Sequence, residues 1–354
     1  MVLDLDTAYL YHCDNKHSRG KTCTVLKPRC VSCSAQKGFT RFLTQHGILC
    51  EPDQKHCRHR ACLRPPFAGS LFCDTHLFRS VRDVPDHVGS TAVTSNSVPL
   101  DLLQETLKKA LSRRWSCGPF KDVLHRMERL SKGESSGVQV ACLDLEFSPT
   151  TGKVFEIGIC EYFTGKVLMD TAVEHGDRPA SRALHQSLAV GRPTHHPFME
   201  MMSRRIASKI YSSASKKFRG RLNVYEIASQ LREAGITPQT IFLTWHQSTT
   251  DFIRLRDLLE QEGYTDILQS NERCFPMIPS FKKNLHRLPG NKPFPVALEV
   301  LFPLLFPKHE LVGRNHRALV DALQLRLVAT VFEEQCKLPK DRDPNRLVYK
   351  HGNT

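Results

Sequence analysis

The fold of this chain is decided at residues 138–147, which read VQVACLDLEF. A short apolar run that ends in acidic residues predicts a β-strand. On a strand, residues i and i+2 point to the same face, with Cα atoms roughly 6–7 Å apart. Asp144 and Glu146 therefore share one face in this prediction, and their flanks Leu143 and Leu145 face the core.

The sequence around this strand predicts an α/β domain. Residues 154–163 (VFEIGICEYF) and 166–175 (KVLMDTAVEH) read as two strands joined by a turn at Thr164 and Gly165. Residues 240–246 (TIFLTWH) read as a short apolar strand, and 264–268 as a further strand. Amphipathic patterns predict helices at 224–234, 251–262 and 317–332. The proline-rich stretch 275–306 is expected to be irregular.

Three acidic motifs follow one another along this domain. The first is the pair Asp144 and Glu146, the second places Asp251 in WHQSTTDF (245–252), and the third is GRNHRALVDA (313–322) with His316 and Asp321. Each has an ordinary interpretation when taken alone. The pair suits an exposed edge strand, Asp251 suits a helix N-terminus, and a lone histidine is more often structural.

The ordered set of the three motifs resembles the DEDDh branch of the DnaQ-like exonucleases, which have a ribonuclease H-like fold. The resemblance covers about 200 residues and departs from the family at Gln247, where asparagine is usual. It implies an α/β fold with a ribonuclease H-like mixed sheet flanked by helices. It also implies a 3′→5′ exonuclease that releases 5′-mononucleotides from RNA or DNA.

Carried over to this chain, the resemblance assigns Asp144, Glu146, Asp251 and Asp321 as ligands of two Mg²⁺ or Mn²⁺ ions. Carboxylate oxygens suit these hard cations. The resemblance makes His316 the general base, and an ordinary imidazole pKa near 6.5 suits that task. A different class of function stays open, namely a catalytically silent adaptor that uses the same fold to bind nucleic acid or protein.

The N-terminal part of the chain has a different composition, because eight of the 13 cysteines lie in the first 73 residues. A clean four-ligand zinc pattern with spacings x4, x10 and x2 is formed by Cys57, Cys62, Cys73 and His76. A second zinc site is assigned, less uniquely, to Cys13, Cys23, Cys30 and Cys33, with competing ligands at His17, His46, Cys50 and His56. The alternative is a set of free thiols. One or two structural Zn²⁺ ions are therefore expected, in a module that binds nucleic acid, binds a protein partner or only staples the fold.

The charge of the chain points to a polyanion, since 50 Lys and Arg against 36 Asp and Glu give a net charge of +14. Between residues 203 and 221 there is no acidic residue. A nucleic-acid track is predicted there, although a solvated basic face is the alternative. Its cations are Arg204, Arg205, Lys209, Lys216, Lys217, Arg219 and Arg221.

The predicted organisation has four parts: a zinc-binding module at 1–80, a linker with two amphipathic helices at 81–137, the exonuclease domain at 138–336, and a flexible tail at 337–354. No apolar run approaches the roughly 20 residues that cross a bilayer, and the N-terminal sequence does not read as a signal peptide. We therefore expect an intracellular protein, nuclear or cytoplasmic, without a membrane partner.

Overall fold

The computed structural model describes residues 54, 56–59, 62–63, 99–118, 120–130, 138–148, 152–175, 221–268, 270–343 and 346, with only the backbone described at 126–130. The chain divides into two compact units. One comprises Met1–Val88, Phe147–Lys153 and His175–Lys217, and the other comprises Gly89–Glu146, Val154–Glu174 and Phe218–Thr354. The sheet core and the candidate site described below belong to the second unit.

A six-stranded mixed sheet forms the centre of the described chain. Its strands are β1 (Val140–Phe147), β2 (Val154–Glu161), β3 (Val167–Val173), β4 (Arg221–Leu222), β5 (Ile241–Thr244) and β6 (Cys274–Pro276). Their order is β4-β3-β2-β1-β5-β6. The β2–β3 pair is antiparallel, whereas β3–β4, β1–β5 and β5–β6 are parallel.

Helices flank this sheet. The described ones are α1 (Leu100–Leu111), α2 (Phe120–Leu130), α3 (Val224–Glu233), α4 (Thr250–Glu260), α5 (Ile278–Asn284), α6 (Leu298–Leu305) and α7 (Ala318–Cys336). The predicted α/β class is confirmed, and so are the strands and helices expected at 138–175, 224–246, 251–262 and 317–332 to within a few residues. Among the described residues, no helix combines the length and apolar composition that crossing a bilayer requires.

The sheet brings the motif-bearing segments to one edge. β1 and β5 run parallel with Leu143 opposite Thr244, so their carboxyl ends lie side by side. Asp144 and Glu146 lie in the carboxyl-terminal half of β1, and the chain leaves β5 to enter α4, whose first turn carries Asp251. Brought together by parallel pairing, these two chain segments are about 100 residues apart in sequence.

Two expectations about secondary structure are wrong. Residues 264–268 form no strand, because the chain there closes α4: Gly263 takes a φ of 87° and the Tyr264 N–H donates to the Leu259 carbonyl. The stretch 275–306 is largely regular, containing most of β6 together with α5 and α6. Pro276 ends the edge strand β6 and Pro279 lies in the first turn of α5, which are both tolerated positions, whereas Pro303 lies inside α6.

The two N-terminal helices are part of the same core as the sheet. Trp115, in the connection between α1 and α2, packs edge-to-face on Phe281 and Phe332, with ring centroids 5.4 and 5.6 Å away. Phe120, at the start of α2, contacts Phe332 and Phe275 at 5.3 and 5.0 Å. The compact unit that holds the sheet therefore extends N-terminally beyond the predicted boundary at residue 138.

Residues that follow α7 are held against its last turn. The Asp343 N–H donates to Glu334, and the Arg346 guanidinium donates to Glu333 and Glu334 at 2.6 and 2.8 Å. Glu334 has no exposed surface, so these contacts neutralise a buried carboxylate. The described part of the predicted tail is thus attached to the domain.

Candidate metal centre

The first part of the site is the carboxyl-terminal half of β1. Alternate residues of this strand point to opposite faces, so Leu143 and Leu145 are buried while Asp144 and Glu146 are half-buried on the other face. This is the alternation that the sequence predicted. The two carboxylates therefore lie side by side at the carboxyl end of a central strand.

The second part is the start of α7, where the chain supplies both His316 and Asp321. His316 takes a φ of 66°, a left-handed conformation that is uncommon for a residue other than glycine. This turn allows the His316 N–H to donate to Asp321 Oδ2 at 2.9 Å. Asn315 donates to the other carboxylate oxygen at 3.4 Å and to the buried Gln324 at 2.7 Å, which fixes the orientation of the loop.

These two parts converge. One ligand atom from each of Glu146, His316 and Asp321 can be chosen so that the three atoms all lie within 4.8 Å of one another, a spacing that suits a bound metal ion. Glu146 and His316 are 170 residues apart in sequence and come together only through the fold. The two carboxylates of this set suit Mg²⁺ or Mn²⁺, whereas an imidazole is a ligand that softer transition metals prefer.

Asp251 is the third acidic contribution. It lies in the first turn of α4 and is 4% exposed. The turn before it is closed by side chains, because His246 Nδ1 lies 3.1 Å from the Ser248 hydroxyl, and Ser248 contacts Thr250 at 2.8 Å. Asp251 is close enough to Asp144 and Glu146 for its charge to raise the pKa of both groups.

Burial and mutual repulsion destabilise the ionised forms of these acids. Burial raises the pKa of Asp144 well above its usual range, and the charges of Asp321 and Asp251 raise it further. Burial also raises the pKa of Glu146 to about 8, of Asp251 to about 7 and of Asp321 to about 6. Carboxylates that repel one another in a partly desolvated cleft are stabilised in their ionised form by a divalent metal.

Glu299, at the start of α6, is a site residue that the sequence analysis missed. Its Oε2 lies 3.5 Å from His316 Nε2, and both side chains are partly exposed, at 41% and 51%. The hydrogen bond to Glu299 raises the pKa of His316. Glu299 lies in a segment predicted to be irregular, and no motif marked it.

Glu156 on β2 is the second missed acid. It is 1% exposed, and its carboxylate contributes to the raised pKa values of Asp144, Glu146 and Asp321. It lies inside the strand VFEIGICE with apolar residues on both sides, and that placement is the sequence feature that could have marked it.

The other predicted sites fall mostly outside the described residues. Of the first zinc set, Cys57 is buried and Cys62 is half-buried, whereas Cys73 and His76 lie outside the described residues. The Cys62 N–H donates to the His59 carbonyl at 3.0 Å. All four residues of the upstream set, Cys13, Cys23, Cys30 and Cys33, lie outside as well. Of the basic track, Arg221 is described and lies in β4 opposite Ala172, while Arg204, Arg205, Lys209, Lys216, Lys217 and Arg219 lie outside.

Comparisons with known proteins identify no family for this chain. No protein-family model matches it, and no curated protein or solved structure matches it at a significant level. Functional inference therefore depends on the geometry and chemistry of the site.

Proposed function

We propose that this chain is a metal-dependent 3′→5′ exonuclease with a ribonuclease H-like fold. The observation that carries the proposal is the convergence of Glu146, His316 and Asp321 to within 4.8 Å, beside the clustered acids Asp144 and Asp251. A mixed sheet flanked by helices is compatible with that fold. Glu146, His316 and Asp321 are three of the five residues that the motif resemblance assigns, which supports the proposal.

The donor set fits the metals that such an enzyme requires. Asp144, Glu146, Asp251 and Asp321 would hold two Mg²⁺ or Mn²⁺ ions through carboxylate oxygens. When bound, such ions activate water and stabilise negative charge on a phosphodiester. The raised pKa values of these acids support a site that is incomplete without cations.

In this proposal His316 acts as the general base. Its side chain is half exposed, so attacking water reaches the ring, and the hydrogen bond to Glu299 Oε2 stabilises the protonated imidazolium. His316 would accept a proton at an imidazole nitrogen from a water molecule whose oxygen bonds to the phosphorus. The bond from phosphorus to the 3′-oxygen of the preceding nucleotide would break, and that oxygen would take up a proton from solvent. Glu299 then serves to orient the ring and to hold its charge.

The remaining parts of the chain supply binding in this proposal. The basic stretch from Arg204 to Arg221 would contact the phosphate backbone of a single strand with an accessible 3′ end. The N-terminal residues would hold one or two structural Zn²⁺ ions and contribute substrate or protein binding. We expect the protein to act inside the cell, in the nucleus or cytoplasm.

An end-labelled oligonucleotide assay tests the proposal. Full-length protein is incubated with 5′-labelled single-stranded RNA or DNA, with added Mg²⁺ or Mn²⁺ and without either. We expect metal-dependent shortening from the 3′ end, lost in Asp144→Asn and retained in Asp266→Asn. Asp266 is a suitable control because it is an exposed carboxylate whose partner is Arg232 on the surface.

Two results would contradict the proposal. Cleavage that survives Asp144→Asn at the wild-type rate would assign the activity to another site. Tight binding of the oligonucleotide without cleavage under any metal condition would favour the adaptor instead.

A further inference from the structure

The helix that carries Asp321 begins without a capping side chain of its own. The N-cap residue of α7 is Arg317, and no side-chain cap hydrogen bond is found there within the described part of the chain. Arginine has no acceptor atom with which to bind the first N–H groups of a helix. Those groups still require acceptors, because the first turn of α7 is buried at Ala318.

A carboxylate from the sheet occupies this position. Glu156 Oε2 on β2 accepts a hydrogen bond from the Ala318 N–H at 3.4 Å, across 162 residues of sequence. Glu156 thus acts as a tertiary cap for α7.

Gly158, two residues further along the same face of β2, allows the helix to approach. A Cβ atom at this position would lie 2.1 Å from the backbone carbon of Ala318 and 2.1 Å from the Leu319 nitrogen. These are backbone atoms of the first turn of α7, so they have no side-chain freedom with which to move away. Any residue larger than glycine would displace the helix from the strand.

The first turn of α7 also holds the catalytic groups together. The Asp321 N–H donates to the Arg317 carbonyl at 2.9 Å, and the Asp321 carboxylate accepts from the His316 N–H at 2.9 Å. His316, Ala318 and Asp321 therefore move as one unit. The position of Ala318 against β2 sets the distance of that unit from Glu146, which lies near the end of the adjacent strand β1.

We propose that Glu156 and Gly158 are positioning residues of the metal centre, which fix α7 on β2 so that Asp321 and His316 meet Glu146. Glu156 acts in this role as a hydrogen-bond acceptor rather than as a metal ligand. The consequence for metal binding rests on the proposed function, whereas the capping of α7 does not. The two parts are therefore measured separately.

The experiment compares Glu156→Leu, which removes the acceptor at similar size, with Glu156→Gln, which keeps an acceptor oxygen. In full-length protein without divalent metal, hydrogen–deuterium exchange is followed in peptides that cover residues 316–322. We expect loss of protection in Glu156→Leu and near wild-type protection in Glu156→Gln. The affinity for Mn²⁺, measured by calorimetry, should fall about 10–100-fold in Glu156→Leu and remain within about threefold in Glu156→Gln.

Gly158→Ala provides an independent variant, because it displaces the helix while leaving Glu156 in place. We expect a similar loss of Mn²⁺ affinity. Ile157→Val is the matched control on the same strand, since Ile157 is fully buried and lies between the two residues on the opposite face. It should lower thermal stability while leaving the Mn²⁺ affinity and the exchange at 316–322 unchanged.

Each remaining outcome counts against one part of the reasoning. Wild-type protection and Mn²⁺ affinity in Glu156→Leu would overturn the proposal. Equal damage in Glu156→Gln and Glu156→Leu would show that charge or ligation is the role of Glu156, and would also overturn it. Absence of Mn²⁺ binding in wild-type protein would reject the proposed metal site, and the exchange measurement would still decide whether Glu156 caps α7.

Discussion

Acidification should weaken divalent-metal binding at this site far above the pH at which ordinary carboxylates titrate. Burial raises the pKa of Glu146 to about 8 and of Asp251 to about 7, whereas ordinary Glu and Asp side chains titrate near 4. The metal binds the deprotonated groups, so protons must leave before it enters. A lower pH therefore means more protons to displace and a weaker affinity.

The size of the effect follows from these pKa values. A group with a pKa of about 8 is ionised in about 1% of molecules at pH 6 and in about half at pH 8, which is a change of about 50-fold. A group with a pKa of about 7 changes by about 10-fold over the same range. With both Glu146 and Asp251 as ligands, the Mn²⁺ affinity should rise by two to three orders of magnitude from about pH 6 to about pH 8.

Titration calorimetry with Mn²⁺ measures this directly. Experiments at three pH values, in buffers with different ionisation enthalpies, give both the affinity and the number of protons released. Glu146→Gln removes the larger contribution, so its affinity should be weaker at pH 8 and its pH dependence about 50-fold smaller. The reasoning would be refuted if the Mn²⁺ affinity changed by less than about threefold between about pH 6 and pH 8, or if Mn²⁺ bound without releasing protons.

Other perturbations separate the roles of chemistry, charge, core and zinc. His316→Ala should retain Mn²⁺ binding but lose about 10²–10⁴-fold in single-turnover cleavage rate; a loss of metal binding instead would make His316 structural. In metal-free protein, the raised pKa of Glu146 means that the unfolded state loses the Glu146 proton at a lower pH than the folded state does. Thermal stability should therefore fall as the pH rises from about 5 to 8, and it should fall less in Glu146→Gln. Trp115→Ala should lower the free energy of unfolding by about 3–5 kcal/mol, measured by urea unfolding followed by circular dichroism. An unchanged free energy of unfolding would show that packing of the connection between α1 and α2 does not stabilise the core. Cys62→Ser should remove one zinc ion per chain in metal analysis, and an unchanged zinc content would reject the assigned ligand set.

The local sequence pattern was sufficient to predict secondary structure where a residue type had a single physical reason to be present. Asp144 and Glu146 alternate with buried leucines, so the strand and its acidic face were both predictable. Asp251 and Asp321 lie in the first turns of helices whose apolar periodicity was clear in the sequence. The order of these motifs then indicated which segments would meet.

Long-range contacts were not predictable in the same way. Glu156 accepts a hydrogen bond from Ala318, 162 residues away, and nothing near it in sequence marks it as a helix cap. Glu299 contacts His316 from α6, a helix that was not predicted because the segment is rich in proline. The amphipathic patterns before residue 138 predicted helices but not the surface against which they pack, which is the aromatic core around Phe281 and Phe332.

That aromatic core has a practical consequence for spectroscopy. The chain contains two tryptophans, Trp115 and Trp245, and both rings pack on Phe281, with centroids 5.4 and 4.9 Å away. Both are buried, and each indole N–H donates to a backbone carbonyl. Intrinsic fluorescence of the native protein therefore comes from one apolar environment, and an emission shift on denaturation reports the opening of this core alone. Residues 1–114 contain no tryptophan, so the cysteine-rich segment contributes no tryptophan emission of its own.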